Sequence, residues 1–322
     1  MRLSSATWVR KRLVRAMLGR SRRWQVIVAM HKTWIEAALN GPWSRGRQPG
    51  IPDTVETIVA EGITCAAAGA CIIHVHAYDG GGPQTFDWQV YARIIEGIRT
   101  KVDVPVYPSI PSAGIGAGPQ PQDAATRFAH LEALAKRGLL EFAVVDPGSV
   151  NFTELSAGSD TAPARTYLNP ESHVRHALAF AARFGFHPAY AIYEPGFTRA
   201  GAALARAMGA KTPIYRFMFS DTFAYGFPPK PYALAAHLTL LQDEAPAAHW
   251  MIAGLGVDIV PLIAETVRRG GHIRVGLEDA PFGTAKSNQA LVEEAVKLVR
   301  THGAEPATVA EMRAALATGA HP

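Results

Sequence analysis

Residues 71–77 read Cys71-Ile72-Ile73-His74-Val75-His76-Ala77, and residues 272–279 read His272-Ile273-Arg274-Val275-Gly276-Leu277-Glu278-Asp279. Each is a short apolar run that ends in side chains able to do chemistry. A parallel strand buried on both faces looks like this when its C-terminal end faces a site. Comparable runs occur at 34–39, 104–108, 142–146, 188–193, 213–219 and 248–254. Helical patterns separate them at 54–68, 88–100, 123–137, 172–184, 198–209, 231–243 and 258–269, with 288–301 after the last strand. Strict alternation of strand and helix through eight units predicts a single (β/α)8 TIM barrel, and an open doubly wound sheet is the alternative. A last helical stretch, 307–317, is expected as a C-terminal appendage.

The chain has 322 residues, and a barrel of about 250 residues with extensions accounts for that length. Its hydrophobic share of 48% excludes a disordered or fibrous chain. No run of about 18 apolar residues occurs, so no membrane span is expected. The formal charge of +5 is concentrated at one end. Residues 1–23 hold eight basic groups and no acid, which leaves 24 Lys and Arg against 27 Asp and Glu in the rest. A body of charge −3 argues against nucleic acid as a partner. Residues 1–29 are therefore read as a basic extension. It is either a targeting or anionic-surface helix or an upstream segment, with Met30 the natural start of a catalytic domain spanning 30–322. Cys65 and Cys71 form no C-x-x-C pair and are expected as buried, reduced thiols of a cytoplasmic protein.

In a barrel, function belongs at the C-terminal ends of the strands. Side chains alternate along a strand, so His74 and His76 face the same side, and two imidazoles so placed can share a metal or simply hydrogen-bond inside the pore. The eighth strand closes against the first, beside the second, which brings Glu278 and Asp279 toward the histidines. Two histidines and one carboxylate with an open position suit catalytic zinc, and a second adjacent carboxylate is free to act as a base. Manganese, cobalt and iron remain open by ligand type. Ser109, Ser149 and Glu194 fall at other strand ends. The glycine-rich stretch 112–118 is read as an active-site loop, because the strand-to-helix context of a dinucleotide site is missing.

Several of these residues recur in a known pattern. It comprises Asn40-Gly41, the run Ala68-Gly69-Ala70 to His74-Val75-His76, Gly148-Ser149-Val150-Asn151-Phe152 and Tyr193-Glu194. It continues with Gly270-Gly271-His272-Ile273-Arg274, Gly276-Leu277-Glu278-Asp279 and Ser287-Asn288. Together, over roughly residues 30–315, they resemble the beta-keto acid cleavage enzymes. The resemblance implies a zinc-dependent TIM barrel, a homotetramer, that converts a β-keto acid and acetyl-CoA into acetoacetate and a new acyl-CoA. It further implies His74, His76 and Glu278 as zinc ligands, Asp279 as the base, and Arg274 as its companion. Ser109, Ser149 and Asn40 are implied substrate-pocket residues. Glu194 is read either as a partner of the Arg274–Asp279 pair or as a simple strand-end salt bridge.

The chain departs from the pattern at informative places. Trp43 stands where the typical member has a glutamate for the substrate's amino group, so it either lines an apolar pocket or faces a quaternary ammonium. Glu36 replaces a small polar residue and offers an acidic group from another direction. Ala280 replaces an asparagine, and the loop 220–230 differs from the family's glycine-rich version. These changes concern the acyl substituent and leave the metal ligands in place. A zinc-dependent hydrolase or aldolase on the same barrel, using no CoA, is the competing reading.

Overall fold

Eight strands supply the frame: β1 (Ile35–Ala38), β2 (Ile72–Val75), β3 (Val106–Pro108), β4 (Phe142–Val144), β5 (His187–Ile192), β6 (Ile214–Phe219), β7 (Trp250–Gly254) and β8 (His272–Val275). A helix follows each: α1 (Val55–Ala68), α2 (Trp88–Arg99), α3 (Ala124–Lys136), α4 (Glu171–Phe184), α5 (Pro195–Met208), α6 (Pro231–Glu244), α7 (Val260–Arg268) and α8 (Asn288–Thr301), with α9 (Val309–Thr318) at the end. The computed structural model describes residues 31–318, apart from 44, 79, 81, 112–122 and 156–164. The basic extension and the 112–118 loop therefore lie outside the described residues.

All ladder pairings among these strands are parallel, in the order β3-β2-β1-β8-β7-β6-β5-β4, and β3 also lies against β4. The strands thus form a near-closed barrel, as the (β/α)8 alternation predicts, with β3 and β4 adjacent at the seam. The helices begin where side chains can satisfy their free N–H groups. Thr54, Asp87, Asp123 and Ser287 each cap one, while α5, α6 and α7 begin with proline in their first turn. The inward faces pack into one core in which Ile35, Ile73, Leu178, Phe217 and Ile252 are fully buried. Each such side chain contributes about 1.5–3 kcal/mol by leaving water.

The predicted appendage is integral to the bottom of the barrel. Arg313 on α9 reaches Asp103 and Glu141, which precede β3 and β4, and Met312 beside it is fully buried. Two short antiparallel pairs decorate the opposite end: 77–78 with 84–85, and 150–152 with 165–167. The strand-alternation pattern did not announce either one. Among the described residues no helix is long and apolar enough to cross a membrane.

Burial pushes the thiols of Cys65 and Cys71 up to about 12. Both are unpaired and inaccessible. At pH 8 a thiol reagent should therefore label neither in the folded protein and both after denaturation. Rapid labelling of the native state would show that α1 separates from the barrel wall.

Candidate metal centre and active site

The register of three strands assembles the site. Arg274 on β8 lies opposite Glu36 on β1, and Ala38 on β1 lies opposite His74 on β2. The turn after β8 is thereby carried across the end of β1 to the histidines. His74 Nε2 stands 3.4 Å from Glu278 Oε2, and His76 Nε2 stands 3.5 Å from Glu278 Oε1. Ligand atoms of all three residues lie within 4.8 Å of one another, and all three are buried.

These residues fit a metal ion. The two separations are longer than a good N–H···O bond of about 2.9 Å. They match the edge of roughly 3.4 Å expected for a tetrahedron whose corners stand about 2.0–2.1 Å from zinc. Glu278 Oε2 and the Nδ1 atoms of His74 and His76 are buried without a hydrogen-bond partner. Burial lowers the His74 pKa well below its usual range, which favours the neutral, ligating imidazole. For Glu278, burial alone would favour the acid. Arg274 and the two histidines outweigh it and hold the carboxyl well below the ordinary carboxylate range.

The carboxylate is aimed by its backbone. Gly276 has φ of +139°, and a Cβ there would meet Ala38 O at 2.1 Å, so only glycine permits the turn. Glu278 N–H donates to Ala38 O, and the flanking Leu277 is held from both sides. Its N–H donates to Asn288 Oδ1, and its carbonyl accepts from Gln48 Nε2. Trp43 Nε1 then donates to the Glu278 carbonyl at 2.7 Å. Gly41, at φ +65°, passes so close that a Cβ would lie 2.6 Å from Glu278 Cγ.

Arg274 joins the carboxylates. Its Nε and Nη2 donate to the two oxygens of Asp279 at 2.7 and 2.8 Å. Nη2 also lies 2.7 Å from Glu278 Oε1, and Nη1 lies 3.3 Å from Glu36 Oε1. Burial pushes the Asp279 carboxyl up to about 6 against the pull of Arg274. A base so held can accept a proton on a free lone pair without changing position.

Residues 32–317 match the family described as beta-keto acid cleavage enzyme. The chain belongs to that family. It is 29% identical over 292 residues to a 3-keto-5-aminohexanoate cleavage enzyme of Fusobacterium nucleatum, covering 88% of this chain and 97% of that one. It is 27% identical over 291 residues to a 3-oxoadipate:acetyl-CoA acetyltransferase of Cupriavidus necator, covering 88% and 93%. Among solved structures, ObcA with oxaloacetate shares the fold, with a TM-score of 0.62 at 16% identity over 84% of this chain and 67% of that one.

The other expected site residues take varied places. Asn40 is fully buried and pairs its side-chain amide with both the N–H and the carbonyl of His76, while its second amide hydrogen meets Pro52 O. Both of its donors are thus taken by backbone carbonyls, which ties the segment after β1 to His76. Glu36 lies deep in the barrel, where Tyr107 OH donates to it at 2.6 Å and Arg216 Nη1 approaches to 3.7 Å. Glu194 accepts from Gly226 N–H at 3.1 Å, and among the described residues no ion pair joins it to Arg274. Ser149 Oγ accepts from Asn169 N–H, while Ser109 is buried just past β3. Arg216, Tyr107 and Gln48 were absent from the sequence-derived set. Arg216 had a legible signal, a lone arginine inside the apolar run Pro213–Phe219.

Because Asn40 holds the backbone of His76, Asn40→Ala should weaken metal binding about 10–100-fold with the fold retained. A competitive chelator titration measures this. Unchanged affinity would mean that β2 alone positions the second histidine.

Proposed function

We propose that the chain performs acyl exchange between a β-keto acid and acetyl-CoA at the His74/His76/Glu278 centre, with zinc as the resident ion. Membership of the family makes β-keto acid cleavage with acetyl-CoA the chemistry, and acyl transfer the enzyme type. The observation that carries the finer reading is a buried base, Asp279, locked by Arg274 directly beside a three-residue metal-ligand group. Zinc bound there would polarise the keto acid's oxygens and lower the cost of forming an enolate.

The chain's own groups then divide the work. Asp279 takes the α-proton, and Arg274 keeps its carboxylate oriented and balances the charge nearby. The carbanion attacks the acetyl thioester carbonyl, forming a carbon–carbon bond and expelling CoA thiolate. That thiolate attacks the original keto carbon, the adjacent carbon–carbon bond breaks, and the carbanion released is acetoacetate at its α-carbon. Asp279 returns the proton to that carbon, so atoms and charge balance. Ser109 and Ser149 are proposed as hydroxyls of the substrate pocket. The same reading carries a homotetramer and a cytoplasmic location, open to light scattering and cell fractionation.

Acetoacetate formation from acetyl-CoA, followed across a panel of β-keto acids with and without chelator, tests the proposal. Chelator-sensitive product supports it, and turnover without CoA would favour a hydrolase or aldolase. His74→Ala should lose stoichiometric metal while the barrel stays folded, and full metal retention would remove His74 from the ligand set.

Asp279→Asn should retain metal yet slow α-proton exchange into deuterated water by about 100-fold or more. Exchange at the native rate would mean that another group is the base.

A further inference from the structure

The mouth of the barrel is aromatic, and a cation already sits in it. Trp43 follows β1, Phe223 follows β6 and Phe282 follows β8, with Trp43 edge-on to Phe282 at 4.9 Å and stacked toward Phe223 at 6.4 Å. Three aromatic faces turned toward one point make a seat for a cation. Arg47 fills it: its guanidinium carbon lies 3.9 Å from the Phe282 centroid, 5.3 Å from Trp43 and 5.6 Å from Phe223. Trp43 is also the residue whose indole holds the Glu278 carbonyl. The seat is therefore linked through Trp43 to the backbone of the candidate ligand Glu278.

Arg47 is held from across the opening. Its Nη1 donates to Glu154 Oε1 at 2.8 Å. Arg47 follows β1 and Glu154 lies in the excursion after β4, two strands that are not neighbours in the barrel. The ion pair thus spans the mouth, and its side chains are 33% and 29% exposed. This single contact uses one N–H of a five-donor fork. Among the described residues Nε and Nη2 have no hydrogen-bond partner. The guanidinium can therefore take a second carboxylate in bidentate or side-on fashion while still touching Glu154.

We propose that Arg47 is a specificity-determining residue and that the acyl substituent of the β-keto acid is anionic, a terminal carboxylate received by the free edge of the Arg47 guanidinium. This rests on the acyl-exchange reading above and names its substrate class. A substrate ammonium or trimethylammonium finds the aromatic seat occupied by a like charge, which disfavours it on Coulombic grounds. A neutral alkyl substituent meets the aromatic walls but leaves the open donors unsatisfied. Trp43 accordingly serves as a wall of the arginine's seat, and not as a cage for a quaternary ammonium.

The test uses three β-keto acids of equal chain length, ending in carboxylate, methyl and trimethylammonium, with the zinc-loaded full chain and acetyl-CoA. The expected order of kcat/KM is carboxylate, then methyl, then trimethylammonium, with at least about a tenfold gap between the first two. Arg47→Gln should shrink the carboxylate-to-methyl ratio by about tenfold or more, and Arg47→Lys, which keeps the charge, should preserve the order. Binding of the same acids to the zinc-loaded Asp279→Asn variant, followed by calorimetry, should show the same ranking without turnover. Preference for the trimethylammonium acid overturns the proposal, as does an Arg47→Gln variant that lowers all three alike. If none of the three acids is turned over, yet the carboxylated one binds in an Arg47-dependent manner, the acyl-exchange reading fails and the assignment of Arg47 stands.

Discussion

Everything at the top of this barrel is organised around one guanidinium out of contact with water. Arg274 is 1% exposed, and its side chain touches Glu36, Glu278 and Asp279. Moving an ion of that size from water into a medium of low dielectric has an idealised cost of order 20 kcal/mol. The charge is tolerable only because three carboxylates meet it at ion-pair distance, and each of them is in turn too buried to stand alone. The pairing is thus mutual. Removing one partner of such a pair typically costs about 3–5 kcal/mol, since the other charge is left uncompensated. The candidate ligand Glu278, the candidate base Asp279 and the deep carboxylate Glu36 are therefore coupled through Arg274, although Glu36 stands on β1 and the other two follow β8.

The fold's contribution is to bring that arginine to a seam. β8 and β1 are the last and first strands of the barrel, and their pairing sets Arg274 against Glu36 across 238 residues of chain. The turn that follows β8 must then reverse sharply over β1. Gly276 allows it, while Gln48, Asn288 and Trp43 fasten its backbone from three directions. None of these groups reaches the metal position. They fix where Glu278 can be, and such outer contacts set metal affinity nearly as much as the ligands do. At the other end the barrel is closed by α9 through Arg313, so the rim bearing the chemistry does not also have to hold the frame together.

This division explains what was legible in the sequence. Strand–helix alternation is a local signal repeated eight times, and it specified the barrel almost residue by residue: β6 was expected at 213–219 and spans Ile214–Phe219. His74 and His76 were legible because two polar groups on one side of an apolar strand demand an explanation. The depth of a side chain along the pore carries no such local mark. Glu36 looked like a substrate contact and lies in the interior network with Tyr107 and Arg216. Asn40, expected in the same pocket, pairs its side-chain amide with the backbone of His76. Glu194, expected beside Arg274, meets the backbone of Gly226 in the loop after β6, a partner 32 residues away that no spacing rule links to it. Short antiparallel pairs such as 150–152 with 165–167 were missed for a similar reason, since each is too brief to show a period.

The charges themselves point to what the site accepts. The ion pairs joined through Arg274 and Glu36 unite two cations, Arg216 and Arg274, with three carboxylates, Glu36, Glu278 and Asp279, a formal sum of −1 within that set with the histidines neutral. A divalent ion held by His74, His76 and Glu278 would reverse that sum to +1. The reversed charge suits a β-keto carboxylate and opposes neither its approach nor the enolate derived from it. Above this layer, Arg47 over Trp43 and Phe282 adds positive charge at the rim, partly offset by Glu154. A carboxylated substituent that reached the rim would meet the guanidinium of Arg47 beside Glu154, whereas an ammonium there would face a like charge at the aromatic seat.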